Sequence, residues 1–311
     1  MLVVNAPDQT YVQANTNGRL HPANEPSLSP LNRGFLYGDA VYEVWRTYDR
    51  VVFAWAEHWQ RLERSAGALK INLPGSADEI WRQVKATITA FDECTGRGDD
   101  LFIRLQVYRG EGTIGLDIKL ATPPGFVILV KSVPTLSPQV KAAGLRLTIA
   151  QGIRRNPIAA LDPAWKTGNY LNNLMGLEEA HRRSADDVLF LNHAGELTES
   201  STSNVAFIRG DEWTTPALAS GILHGITRAR IVSEVARRVG LKPIERVLSP
   251  DEMGSFDEAM LLSTTKDVQP VGSIDDHRYD VTPTARLWRL KAAFAEHAQR
   301  EGASHPERRV S

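Results

Sequence analysis

Lys166 lies in DPAWKTGNYLNN, flanked by Trp165 and by a Gly-Asn-Tyr turn just ahead of a helical pattern. A lysine amine drawn out of water is disfavoured as the ammonium ion, and the neutral amine is a nucleophile that condenses with aldehydes and ketones. On spacing alone, a surface lysine capping a loop explains the residue better. Three further segments bear on the same chemistry. GELTESSTSN sets Glu199 ahead of small hydroxyl residues, Ser203 among them, and of Asn204, directly before the strand NVAFI. A carboxylate there could meet a ring nitrogen or serve an ordinary turn. GILHGITRARI opens a helix with Gly225, Ile226 and Thr227, whose backbone N–H groups, hydroxyl and positive dipole end suit a phosphate. LLSTTKDVQPV ends a strand in Ser263, Thr264 and Thr265, either a plain turn or a second set of phosphate donors. Each signal is weak by itself. Together, a lysine, a carboxylate and two anion-binding turns are what a phosphorylated pyridine aldehyde requires.

Other chemistries lack their residues. There is no GxGxxG after a strand, no phosphate-loop motif ending in Gly-Lys, no HExxH and no GxSxG. The eight histidines show no ligand spacing, so no metal is expected. His58 and His181 fall on helical patterns and read as solvated or capping residues. Lys and Arg total 36 against 37 Asp and Glu, a net charge of −1, which offers no basic excess for nucleic acid or a membrane surface. The single Cys94 can build neither an internal disulfide nor a thiolate metal site. Apolar runs such as GFVILV at 125–130 fall far short of the ~18 residues that a membrane span needs. The start, MLVVNAPDQTY, lacks the order of a secretory signal, and a soluble, cytoplasmic protein is expected.

The elements that must position these residues follow from patterning. A chain of 311 residues, 42% hydrophobic and 23% charged, has material for about two domains. TYVQANTNGRLHP reads as a hairpin, and DAVYEVWRTY and RVVFAWAEH alternate as strands around a turn at Tyr48-Asp49-Arg50. AEHWQRLERSAGALK and SADEIWRQVKATITAF carry apolar residues at helical spacing, the second with a serine cap. Strands LFIRLQVYR at 101–109 and GFVILVKSV at 125–133 close a first domain, 1–131. The proline-marked SVPTLSPQVKAA supplies a linker at 132–142. A C-terminal domain, 143–311, interleaves strands LRLTIAQG, DVLFLN, NVAFIR and EAMLLS with helices in NYLNNLMGLEEAHRR, ITRARIVSEVARRVG and TARLWRLKAAFAEHAQRE. The tail SHPERRVS is charged, lacks an apolar anchor and should fray. Consecutive strands with separate helices argue for an α+β or mixed fold over a regular βαβ alternation.

With these motifs in place, the sequence resembles the fold-type IV pyridoxal-phosphate enzymes, the class-IV aminotransferases. That family includes branched-chain aminotransferase, D-amino acid aminotransferase, (R)-selective amine transaminase and aminodeoxychorismate lyase. The resemblance runs from RGFLYGDAVYEVWR at 33–46 to VQPVGSIDD at 268–276, through EHWQRL, NYLNN, GELTESSTSN, GITR and STTKDVQPV in matching order. It implies a two-domain fold, a smaller N-terminal α/β domain and a larger C-terminal mixed β domain carrying the cofactor lysine. It further implies pyridoxal 5′-phosphate on Lys166, which would hold the cofactor and shuttle the proton in a ping-pong aldimine/ketimine cycle. Glu199 would pair with the pyridinium nitrogen, Arg61 would grip the phosphate through its fork, and Ile226, Thr227 and Thr264 would complete the phosphate cup. Ser203, Asn204, Gly225 and Ser263 belong to the same cofactor-binding set, and Tyr170 matches the tyrosine that bonds the cofactor's O3′. In this family the active site lies between the domains and borrows a loop from a neighbouring subunit, which implies a homodimer or a higher homo-oligomer.

The substrate side has mixed matches. Tyr37, Tyr42, Val44 and Arg46 match the strands that line the family's substrate pocket, joined by Phe102, Arg104 and Thr265. FIRLQVYRGEGTIGLD, with Arg104, and KTGNYLNN are branched-chain-like, whereas Tyr42-Glu43-Val44 and TSNVAFI match the D-amino acid and lyase branches. Arg46 and Arg104 could equally pair with Glu43 or other interior carboxylates. The resemblance implies a transaminase moving an amino group between an aliphatic, branched-chain-type amino acid and a 2-oxo acid such as 2-oxoglutarate. A D-amino acid or (R)-amine transaminase is the alternative, and aminodeoxychorismate lyase a further one. A vitamin carrier that merely keeps the fold is disfavoured by the joint presence of Lys166, Glu199 and Arg61.

Overall fold

The computed structural model describes residues 11–98, 100–133 and 143–310. The expected linker at 132–142 lies, from residue 134 onward, outside the described residues. Contacts divide the chain into two units. The first holds residues 11–133 together with 165–169 and 299–310, and the second holds 143–164 and 170–298. This differs from domains cut at 131 and 143, because the segment carrying Lys166 and the last dozen residues join the first unit.

The first unit is built on an antiparallel sheet. Strands β1 (Gln13–Thr16), β2 (Arg19–Pro22), β3 (Ala40–Tyr48), β4 (Val51–Val52), β5 (Leu101–Tyr108) and β6 (Gly125–Ser132) take the order β2-β1-β6-β5-β3-β4. The expected first hairpin forms, turning at Asn17 and Gly18, both at positive φ, which glycine and asparagine tolerate best. A short helix α1 (Arg33–Tyr37) precedes β3. RVVFAWAEH does not continue as a strand. Only Val51–Val52 pair with β3, then Ala54 adopts a left-handed conformation and helix α2 (Trp55–Ala68) begins. The serine cap of α3 (Ala77–Thr95) is a full capping box, in which Ser76 and Glu79 satisfy each other's backbone N–H groups.

Strand period decides which face of β3 is inside. Val41 and Trp45 join Ile103, Leu105 and Val107 of β5 and the apolar faces of α2 and α3 in one buried cluster. Trp45 and Trp55 stack at 4.8 Å, and Trp81 meets Trp55 edge-on at 5.0 Å. Val310 belongs to the same cluster: it is 3% exposed and its N–H donates to Arg50 O. The tail is therefore anchored rather than frayed, and this one valine is the apolar contact that its charged neighbours concealed.

The second unit contains β7 (Leu145–Ile149), α4 (Leu171–Arg182), β8 (Asp187–Leu191), β9 (Leu197–Ser200), β10 (Asn204–Arg209), β11 (Glu212–Pro216), α5 (Ile226–Arg230), β12 (Lys242–Arg246), β13 (Glu258–Ser263), β14 (Asp267–Ile274) and β15 (His277–Arg278). Helix α6 (Arg286–Ser304) follows. The strands run β12-β11-β10-β13-β14-β7-β8-β9, and β9 also pairs with β10, so the ladder closes on itself. The closing pair is Glu199 with Asn204. Leu145, Leu189, Val205, Phe207, Leu261 and Val271 are among the apolar side chains buried in this unit's core. The helix read as ITRARIVSEVARRVG is interrupted by a π-helical turn at Ile231–Val235 before it ends at Arg238.

Candidate active site

In the first unit, residues 166–168 lie along β3. Tyr42 N–H donates to Lys166 O at 3.0 Å, Gly168 N–H donates to Ala40 O at 2.8 Å, and Thr167 bridges Val41. Lys166 N–H donates to Ser65 Oγ at 3.1 Å. The backbone of Lys166 is thus fixed to a strand and a helix, and its side chain is half-buried. Its Nζ lies 4.4 Å from the Tyr42 ring centroid. A second cation on that ring is Arg104, whose Cζ is 3.8 Å from the centroid and whose Nη2 donates to Gln106 Oε1 at 2.9 Å.

Register explains the grouping. Tyr42 pairs with Gln106, Val44 with Arg104 and Arg46 with Phe102, so all five expected pocket residues on β3 and β5 share the face opposite the core. They do not serve alike. Arg46 bridges Asp100 at 3.8 Å and stacks on Tyr48, whereas Arg104 has no carboxylate within salt-bridge distance among the described residues. Arg104 and Gln106 instead line a cavity of about 240 Å³ with Leu28, Phe35, Val127 and Leu129. Tyr37 stands apart from this group, at the end of α1, where its hydroxyl accepts from Gly115 N–H at 3.1 Å.

Behind that face, the inward Glu43 meets α2. His58, Arg61 and Ser65, at spacings of three and four, lie along one side of the helix. Glu43 Oε1 accepts from Arg61 Nε at 2.6 Å, and Oε2 accepts from Arg61 Nη2 at 2.8 Å. His58 Nδ1 lies 2.7 Å from the same Oε2. Burial pushes the Glu43 carboxyl upward, but the charge and bonds of Arg61, then of His58, outweigh it and hold the group far below the usual carboxylate range. Burial lowers His58, against the opposing pull of Glu43. His58 is wholly buried, not solvated, whereas His181 is exposed. The Nε–Nη2 edge of Arg61 faces Glu43.

In the second unit, Glu199 lies in β9, a strand buried along its length despite the polar sequence LTES. Its Oε1 accepts from Arg155 Nη2 at 2.7 Å, and its Oε2 accepts from Asn204 Nδ2 and from Leu223 N–H, both at 3.0 Å. Asn204 Nδ2 also donates to Leu223 O at 3.0 Å, which ties β10 to the loop entering α5. Gly225 is required there, because a Cβ would collide with Asn204 Oδ1. Ile226 and Thr227, both buried, begin α5, and buried Arg228 anchors it through Pro216 O and Glu245. Asn204 pairs with Leu262, so Ser263 follows in β13 beside the Glu199–Asn204 seam, with Thr264 and Thr265 in the next turn. Lys266, in that turn, lies 3.4 Å from Asp187 and from Thr202 Oγ1. The hydroxyl of Ser203 is buried with no partner among the described residues. Tyr170 occupies the cap position of α4.

Lys166, Arg61, Tyr42 and Arg104 are therefore neighbours in one unit, and Glu199, Ser203, Asn204, Gly225 to Thr227 and Ser263 to Thr265 in the other. Sequence reading missed Glu43 and His58 as the partners of Arg61, and Arg155 and Asn173 around Glu199. A charge at an inward position between Val41 and Trp45 was the signal for Glu43; Arg155, in an irregular stretch, had none. No group of His, Cys, Asp or Glu suited to a metal occurs among the described residues, and no described helix is long and apolar enough to cross a membrane.

Residues 40–274 match the family model for class IV amino-transferases. A protein of Methanocaldococcus jannaschii, provisionally named a branched-chain-amino-acid aminotransferase, is 33% identical over 260 residues, 83% of this chain and 86% of its own. The D-alanine aminotransferase of Bacillus licheniformis is 32% identical over 267 residues, 83% and 87% of the two chains. Among solved structures, the branched-chain aminotransferase of Thermoproteus uzoniensis with norvaline superposes with a TM-score of 0.81, covering 96% of this chain and 97% of its own at 27% identity.

Proposed function

The chain belongs to the class-IV aminotransferases and is a pyridoxal-phosphate-dependent transferase; from that premise we propose a transaminase of aliphatic, branched-chain-type amino acids. The acceptor in this reading is a 2-oxo acid such as 2-oxoglutarate. One observation carries it: the Tyr42 ring joins the Lys166 amine to the Arg104 guanidinium, and apolar Leu28, Phe35, Val127 and Leu129 line the cavity beside Arg104. A cation one ring away from a nucleophilic amine suits the carboxylate of an amino or oxo acid, and the apolar lining suits an aliphatic side chain.

The residues present fit the cofactor. Ser203 offers a buried hydroxyl in need of a partner, Gly225 leaves the backbone before α5 uncovered, and Glu199 offers a buried carboxylate to a heterocyclic N–H. Bound pyridoxal phosphate supplies an aldehyde carbon and an electron-withdrawing ring. Lys166 would hold it and, once released, move the proton at the substrate Cα. Its backbone is fixed to Ser65 and β3, so only the side chain would move during the cycle. Glu199 would bind the ring nitrogen, Tyr170 the ring hydroxyl, and Arg61, Ile226, Thr227 and Thr264 the phosphate. Arg104 would orient the substrate carboxylate, and Val44, its partner across the strands, would narrow the small-group side of the pocket.

A second reading, a D-amino acid or (R)-amine transaminase, draws on Tyr42-Glu43-Val44 and on the Bacillus licheniformis relative. Glu43 counts less toward it, since it faces Arg61 and the core. Single-turnover spectra of the bound cofactor test the choice. Conversion by L-leucine and L-valine supports the first reading, conversion by D-alanine alone replaces it with the second, and pyruvate release from aminodeoxychorismate without an acceptor points to a lyase. A homo-oligomer in the cytoplasm completes the proposal; its oligomeric part is supported by Phe35, Ile114 and Leu116, which are 75%, 70% and 81% exposed. Sedimentation at micromolar protein checks it, and a monomer would overturn that part.

A further inference from the structure

Glu199 accepts three hydrogen bonds, and their distribution is uneven. A carboxylate has about four lone-pair positions, two on each oxygen. Both positions on Oε2 are taken, by Asn204 Nδ2 and Leu223 N–H. On Oε1 one position is taken, by Arg155 Nη2 at 2.7 Å. A heterocyclic N–H that reaches this carboxylate must therefore arrive at Oε1, beside the guanidinium. Arg155 is itself 9% exposed and fixed by its surroundings: its N–H donates to Leu191 O, and its Nη1 lies 3.4 Å from Asn173 Oδ1. Asn173 in turn donates to Ser201 O at 2.6 Å, next to the turn that carries Ser203.

We propose that Arg155 is a positioning residue for Glu199, which fixes the carboxylate plane and shares the oxygen that receives the cofactor's ring nitrogen. The proposal rests on the reading of Glu199 as that nitrogen's partner. Without Arg155, Oε1 has no donor, the carboxylate is held through Oε2 alone, and the charge of Oε1 is no longer divided between two donors. Arg155 then governs how strongly the ring withdraws electrons, while the substrate never touches it.

The test uses the holoenzyme loaded with pyridoxal 5′-phosphate, in wild type, Arg155→Met, Arg155→Lys, Glu199→Gln and the Arg155→Met/Glu199→Gln double variant. Readouts are kcat, KM for the amino donor, and the pH titration of the bound cofactor's absorbance. Arg155→Met is expected to lower kcat roughly tenfold or more, with a smaller change in KM and a displaced absorbance titration. Arg155→Lys, which keeps the charge, recovers part of the loss and carries the comparison if the methionine variant does not fold. In the Glu199→Gln background the Arg155 substitution should have little further effect, because its route to the cofactor is gone. An equal fold-loss in both backgrounds, or an unmoved absorbance titration, overturns the proposal. Wild-type absorbance and kcat in Glu199→Gln would remove the reading of Glu199 itself, and Arg155's role with it. A normal Arg155→Met beside an impaired Glu199→Gln would remove only the role of Arg155.

Discussion

Glu43 and Arg61 form a two-bond ion pair at the interior face of β3, with the carboxylate wholly buried and the guanidinium 4% exposed. Removing one partner of such a pair strands the other charge out of water. Glu43→Ala should therefore cost on the order of 3–5 kcal/mol, read as a lower midpoint in urea unfolding. It should also weaken retention of pyridoxal phosphate, because Arg61 loses its fixed orientation. An unchanged midpoint would show that the pair stabilises nothing.

The same cluster sets an acid limit. Both Glu43 and His58 titrate lower in the folded protein than in the unfolded chain, so at low pH the unfolded chain binds more protons. Their stability is fully present above the ordinary histidine value of 6.5, begins to fall below it through His58, and falls further below 4.5 through Glu43. His58→Gln should flatten the segment between those two values in a plot of unfolding free energy against pH. A wild-type curve already flat between them contradicts this.

Lys166→Ala should leave the fold intact, since the bonds to β3 and Ser65 come from the backbone of this segment. Turnover should drop at least about a hundredfold, and the cofactor's long-wavelength absorbance should vanish. Circular dichroism alongside the spectra separates the two effects, and a variant as active as wild type rules out Lys166 as the base.

Arg104→Leu keeps the bulk beside Tyr42 and removes the cation. The expected result is a fall of roughly tenfold or more in kcat/KM for both amino donor and oxo-acid acceptor, with normal cofactor absorbance. If KM for neither substrate rises, Arg104 does not hold a carboxylate.

Gly225→Ala introduces a methyl group where Asn204 Oδ1 already sits. Asn204 must move, and with it a donor to Glu199, so the variant should lose about 1–3 kcal/mol of stability and bind pyridoxal phosphate less tightly. Equilibrium dialysis gives the affinity; wild-type binding would show that the loop before α5 yields without consequence.

Much of this could be read from the residues because the strong periods were honest. The capping box of α3, the Asn-Gly hairpin and the alternation in β3 and β5 all formed as their local chemistry demands. β14 was missed as a strand because Pro270 and Gly272 interrupt DVQPVGSI; the structure accommodates them with an irregular register between Val271 and Ser273. β9 was missed because LTES is polar, and its burial depends on partners distant in sequence. The motif residues around Lys166 and Glu199 were visible because short motifs need no tertiary context to be noticed. Arg155 was not, since an arginine in an irregular segment becomes meaningful only once its carboxylate is 2.7 Å away.

The composition of the first unit has a consequence for biosynthesis. Residues 165–169 and 299–310 are parts of it, and Val310 packs in the core with Trp45 and Trp55. A nascent chain that has emerged as far as β6 holds all six strands of the sheet but lacks both the strip along β3 and the plug against Val51. The unit encoded first is thus among the last parts to be completed. Until residues 299–310 are made, the tryptophan cluster lacks its Val310 contact, so a deletion within that stretch would be felt in the core beneath β3, some 260 residues earlier in the chain.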